Sequence, residues 1–170
     1  MTTTRVEPPM SANEIPMLLS WLEFHRSTLA MKCAGLDDDQ LKRRAVEPAT
    51  LSLLGLVRHM SEVERNWFRR AFAGEDAPPR YYSDDAPDGD FDDLDSVSVA
   101  EAFEVWQQEC AHARRVAASA KTLDDVGVRE IHGGQRVSMR WILIHMIEEY
   151  ARHNGHADLL RQRIDGAVGE

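Results

Sequence analysis

Apolar residues recur every three to four positions in four long stretches of the chain, and almost nothing alternates with the period of a strand. In residues 11–34, Leu18, Leu19, Leu22, Leu29 and Cys33 recur at helical spacings, Ser11 offers a cap, and Gly35 ends the stretch. An acidic DDD run and a short helical piece, DQLKRR, come next. Thr50 or Ser52 opens the second stretch, LSLLGLVRHMSEVERNWFRRAFAG, which closes at Gly74. The third runs from Ser98 to Lys121, with Ala102, Phe103, Trp106, Cys110 and Val116 as its apolar set. The fourth runs from Ser138 to Ile164 and is stopped by Gly166 and Gly169. The HGGQRVS segment ahead of it reads as a Gly-Gly turn and matches no phosphate-binding fingerprint.

Between the second and third stretches lies EDAPPRYYSDDAPDGDFDDLDS, with three prolines, one glycine and eight aspartates. Its polarity predicts a solvated loop, and its length predicts a job, since long connections are uncommon in compact domains. Carrying the chain across a bundle, so that successive helices run parallel, is such a job. A calcium loop fits poorly: Gly89 is suitably placed, but Ala86 stands at a ligand position and Asp95 replaces the bidentate glutamate. The pattern thus predicts an all-α fold, a four-helix bundle in a single domain over residues 1–170. Residues 1–10 are expected to be flexible, with 75–97 as the acidic crossover.

Composition narrows the classes of function. The 170 residues can bury a real core without staples. The net charge of −9 argues against a nucleic-acid partner, because phosphate binding needs clustered cations. No apolar run is long enough to span a bilayer, and MTTTRVEPPM contains no secretory apolar core. Cys33 and Cys110 lie far apart in helical patterns, where small buried hydrophobes are expected, and a reducing cytoplasm fits.

Candidate chemistry concentrates in HMIEEYARHNGHADLLRQR, residues 145–163. At about 100° per residue, His145, Glu149, His153 and His156 fall within about 80° of one another. They share a face with Ile142 and Leu160, which should point inward, whereas Glu148 lies on the flank and Asp158 opposite. Burying such groups is costly unless each is paired or bound to metal. Glu149 and His153, at i and i+4, could form an intrahelical hydrogen bond or converge on one ion. His59, flanked by Leu56, Val63 and Trp67 at helical spacing, should face the core and offers a third ligand. Two imidazoles and a carboxylate with an open fourth position are the donor set of a catalytic zinc site. A ferritin-like di-iron site fits poorly, because His59 and Glu62 stand in the wrong order and the fourth-helix spacing is i+4.

These residues carry a resemblance. SLLGLVRHMSEVERNWF and RWILIHMIEEYARHNGHADLLR are similar to signature stretches of the DinB/YfiT-like superfamily of metalloenzymes, in an actinobacterial-type branch. The likeness extends from the first helix to RIDGAVG. It implies an up-down-down-up four-helix bundle, with His59, Glu149 and His153 holding a divalent metal, usually zinc or nickel. Glu149 departs from the commoner family histidine and resembles the variant in mycothiol-dependent maleylpyruvate isomerase. His156 occupies a position that is often glutamine, and His145 and His156 are expected behind the ligands or as alternative ligands. Gly155 is expected to permit close helix packing beside the site.

The resemblance further implies a low-molecular-weight thiol such as mycothiol, an electrophilic co-substrate, and transferase or isomerase chemistry. Homodimers are common among such proteins. Glu62 would orient a ligand, shuttle a proton or make a surface salt bridge; Arg152 would contact an anionic group or serve the helix surface. Metal-dependent hydrolysis and a non-catalytic metal-binding stress role are the alternatives.

Overall fold

The computed structural model describes residues 5–92 and 94–169. It is all-α, with no strand among the described residues and only isolated bridges beside the turn before the last helix. α1 spans Glu14–Cys33, α2 Asp38–Lys42, α3 Leu53–Glu64, α4 Gly89–Asp92, α5 Val99–Ser119 and α6 Met139–Asp165.

The ends of these helices follow from local chemistry. Ser52, Ser98 and Ser138 cap α3, α5 and α6 by accepting the backbone N–H three residues on. Asp37 and Gln40 form a reciprocal capping box on α2. At α1 the cap position is Asn13 rather than Ser11, and its side chain makes no capping bond. Gly166 ends α6 with a φ of 80°, a left-handed conformation that favours glycine.

The second predicted helix is not α-helical throughout. From Arg65 to Phe72 the chain widens into a π-helix, a form that occurs mostly as short insertions, often at functional sites. The guanidiniums of Arg65 and Arg69 from this segment both bind Glu109 of α5, at 2.9 and 2.6 Å.

Paired residues give the packing order. Glu14 meets Arg140 at 2.8 Å, Asn154 donates to the His25 carbonyl at 3.0 Å, and Lys32 meets Asp158 at 2.5 Å. α1 and α6 therefore run side by side in the same direction. Against α3 the order of α6 is reversed, with His59 beside His153 and Trp67 beside Trp141. The apolar core includes Leu22 and Leu29 of α1, Leu53, Leu56 and Met60 of α3, Trp106 of α5, and Ile142, Met146 and Leu160 of α6.

A polar network crosses this core. Arg26 of α1 makes two hydrogen bonds to Glu64 of α3, at 2.7 and 2.6 Å. Tyr150 of α6 donates to the same carboxylate at 2.9 Å, and Trp106 of α5 donates to the Tyr150 hydroxyl at 2.8 Å. All four residues are buried, so each long helix contributes one member. The Cys110 thiol lies 3.6 Å from Glu64 and is buried, as is Cys33; both cysteines are free. Burial pushes the Cys33 thiol up to about 12 and the Cys110 thiol higher still, which makes both inert near neutral pH.

Two expectations are corrected. The acidic crossover is not simply solvated: Ala77, Gly89, Asp90 and Leu94 are buried, and α4 within it packs on α3. A Cβ at Gly89 would collide with the Tyr81 carbonyl oxygen, so this close approach requires glycine. Gly155, by contrast, is exposed, and a Cβ there would meet nothing within 4 Å. The Asn-Gly pair does not break α6, and it is Asn154, bonded to the His25 carbonyl of α1, rather than Gly155 that meets the neighbouring helix. Of the N-terminal segment, residues 1–4 lie outside the described residues, and Arg5 stands over the Phe24 ring at 4.5 Å.

Candidate metal centre

His59, Glu149 and His153 each offer a ligand atom, and these atoms lie within 4.8 Å of one another. They come from two helices running in opposite directions, α3 for the first and α6 for the others. The grading of burial along the predicted stripe explains how core and site coexist on one face. Ile142 and Leu160 are fully buried and His153 nearly so, whereas His59, Glu149, His145 and His156 are half-buried. His59 itself sits at the edge of the core between buried Arg58 and Met60, a placement compatible with solvent access.

His59 has one ring nitrogen beside a neighbour's polar atom and His153 has both. His59 Nδ1 is 2.8 Å from Asp90 Oδ2, which leaves Nε2 as its free ligand nitrogen. His153 Nε2 lies 3.4 Å from Glu149 Oε2, and its Nδ1 is 3.4 Å from Nδ1 of His156. A hydrogen bond from His153 holds the Glu149 carboxyl below its ordinary range, in spite of the burial that opposes this. Burial depresses the His156 imidazole, favouring its neutral form. Phe91 stacks on His59 with ring centres 4.7 Å apart, closing one side of the site.

The other predicted residues divide. His145 joins the edge of the site: its Nε2 is 3.6 Å from Glu149 Oε1 and its Nδ1 is 3.4 Å from Glu148. Trp141 stacks on it and Trp67 meets it edge-on, at 4.8 and 4.9 Å. His145, Glu148 and Glu149 form a second group with ligand atoms close together, but Glu148 is drawn outward by Arg152 at 2.6 Å. Arg152 is exposed and spent in this surface pair.

Among the described residues Glu62 has no salt-bridge partner. It is buried, and its Oε1 accepts the backbone N–H groups of Arg80 and Tyr81 at 2.5 and 2.7 Å, which ties the crossover to α3. Burial pushes the Glu62 carboxyl above its ordinary value, outweighing these two donors.

Sequence reasoning missed Asp90 and Phe91. Both lie in the aspartate-rich crossover, where one carboxylate among eight carries no periodic signal. The only hint was the Gly-Asp-Phe step, an aromatic residue directly after a glycine in a polar run.

The residues present fit a divalent cation. The donors are two imidazoles and a carboxylate, and Asp90 orients one imidazole from behind, as carboxylates behind zinc-bound histidines do. Among the described residues no helix is long and apolar enough to cross a membrane. A model of the mycothiol-S-transferase family matches residues 17–166. Among curated proteins, none matches the chain.

Proposed function

The chain belongs to the mycothiol-S-transferase family, a member of the DinB-like superfamily, and on that footing we propose that it moves a small electrophile onto the sulfur of mycothiol at a divalent-metal centre. The observation that carries this reading is the convergence of His59, Glu149 and His153 from two helices. Zinc or nickel suits this donor set. When bound, such a cation favours thiolate over thiol near neutral pH.

The protein's own residues do the remaining work. His59 and His153 bind as neutral imidazoles, Asp90 fixes the tautomer of His59, and Glu149 contributes one negative charge. Phe91 on one side and the Trp67–Trp141 pair on the other restrict water around the reacting sulfur. The thiolate sulfur attacks an electrophilic carbon, a carbon–sulfur bond forms, the leaving group departs with its electron pair, and the thiol proton passes to solvent. The reading extends to the architecture: a single-domain bundle in up-down-down-up order, with the crossover carrying the chain so that α3 and α5 run parallel. The same-direction pairing of α1 with α6 supports that order. A reducing cytoplasm suits the two free cysteines.

Metal analysis of the purified protein tests the centre. Wild type is expected to hold about one divalent cation per chain, with His59→Ala, Glu149→Ala and His153→Ala each losing it. Full occupancy in all three variants would sink the triad. The reaction is tested by incubating metal-loaded protein with electrophiles, with and without mycothiol. Product that forms only with the thiol supports transfer, whereas equal turnover without it supports metal-dependent hydrolysis instead.

A further inference from the structure

Beside the candidate metal centre, the crossover, α3 and the π-helical segment after it line an open pocket of about 240 Å³. A sealed cavity of ~150 Å³ holds benzene, so this one suits a group of single-ring size. His59 forms part of its lining. Its apolar walls are Trp67, Phe91 and the ring of Tyr82; its polar groups include the carboxylates of Glu62, Asp88 and Asp90 and the amide of Asn66.

The acidic side chains of that lining have no lysine or arginine counterpart in it. Carboxylates accept hydrogen bonds and donate none, and no lysine or arginine is among the described lining residues. One of these carboxylates is only half used. Both backbone N–H groups that reach Glu62 bond to Oε1, and no hydrogen bond from a described residue reaches Oε2. A carboxylate- or phosphate-bearing ligand would meet three like charges here, with no lysine or arginine in the lining to offset them. A hydroxyl or ammonium group would find acceptors, and flat aromatic walls favour a ring over a branched chain.

Resting on the transferase reading above, we propose that this pocket receives a non-anionic, hydrogen-bond-donating group of single-ring size, and that it rejects anionic ones. The group belongs to one of the two co-substrates, the electrophile or the thiol, and both sources share the same recognition chemistry.

Binding is measured first, without turnover, so that failure of the transferase reading leaves the pocket testable. Benzylammonium, benzyl alcohol and benzoate are titrated into the metal-loaded full chain by calorimetry, with Asp88→Lys as the principal variant because Asp88 is exposed. The expected result is at least tenfold tighter binding of benzylammonium and benzyl alcohol than of benzoate, with the gap shrinking to threefold or less in Asp88→Lys. Glu62→Gln, used only if it retains the wild-type melting temperature, should narrow the gap likewise. Benzoate binding as tightly as benzylammonium, or an unchanged gap in Asp88→Lys, overturns the proposal.

The source is then assigned by transfer kinetics with 4-aminomethyl- and 4-carboxy-benzyl chloride. In that reaction sulfur bonds to the benzylic carbon, and chloride leaves with the bonding pair. A higher KM for the amino electrophile alone in Asp88→Lys places the electrophile in the pocket. A higher KM for mycothiol alone places the thiol's own donor-bearing part there. Movement of neither KM overturns the assignment to a co-substrate.

Discussion

At the scale of single residues, two buried carboxylates support the candidate site, one behind an imidazole and one on the backbone. Asp90 is buried against His59, and replacing it with asparagine keeps the shape but removes the charge that holds the imidazole tautomer. Loss of a partner of this kind costs roughly 10- to 100-fold in metal affinity. We therefore expect Asp90→Asn to weaken zinc binding by about that factor in a chelator competition, with little change in helical content. An affinity equal to wild type would show that Asp90 only packs. Glu62 acts on the backbone instead. Removing its carboxylate in Glu62→Ala orphans two N–H groups in the crossover, which should cost about 1–3 kcal/mol in urea unfolding. The same variant should expose the chain near Arg80 and Tyr81 to faster proteolysis, since those are the groups it holds.

At the scale of elements, the long helices are tied by a buried polar network as well as by the apolar core. Arg26 and Glu64 are both buried, and Tyr150 and Trp106 complete the chain of donors. A well-packed apolar replacement of the whole network need not destabilise the fold, but breaking the ion pair leaves an uncompensated charge. Glu64→Ala is accordingly expected to lose about 3–5 kcal/mol in denaturant unfolding. Tyr150→Phe, which removes one donor to Glu64 and the acceptor for Trp106, should lose roughly 1–3 kcal/mol. The change to a π-helix starts directly after Glu64. It sets Arg65 and Arg69 on a common partner, Glu109, and brings Trp67 beside Trp141 and His145.

At the scale of the whole molecule, charge pairing between helices makes stability depend on pH. Burial pushes the Glu23 carboxyl up, but hydrogen bonds and charges from Arg114 and Arg26 outweigh it and hold it below its ordinary value near 4.5. A carboxyl depressed by folding stabilises the native state above its unfolded pKa, and that contribution is lost as pH falls through the folded value. The melting temperature is expected to hold steady between about pH 6 and 8 and to decline below about pH 4.5, with a shallower decline in Arg114→Ala. Because Glu23 links α1 to α5 through Arg114, an unchanged acid slope in that variant would place the sensitivity elsewhere. A cation held between α3 and α6 should also act globally. At about 100 times its Kd, zinc would add roughly 2.7 kcal/mol, readable as a higher melting temperature that a chelator reverses.

Much of this was legible in the chain itself. Helical periodicity with Ser52, Ser98 and Ser138 at the starts and Gly35, Gly74 and Gly166 at the ends placed the long helices within a few residues, because caps and apolar stripes are local properties. The same periodicity put Glu149 and His153 one turn apart and singled out His59, and the fold brings ligand-capable atoms of all three within 4.8 Å of one another. Other features depend on which elements touch. A carboxylate in a run of aspartates has no period to reveal it, so only the docking of the crossover on α3 could single out Asp90 for His59 and bring two N–H groups to Glu62. Nor could spacing show that Glu64, Arg26, Tyr150 and Trp106 would meet, since long-range polar contacts leave no pattern along a sequence. Gly155 shows the opposite limit: its residue type suggested close packing, but the space around it is open, and only the neighbouring helices decide that. The sequence by itself determined the helices and the candidate ligand set they carry, through local backbone preference and burial. The tertiary structure alone decided which groups stand behind those ligands and what the adjoining pocket can accept, because both arise where distant segments pack together.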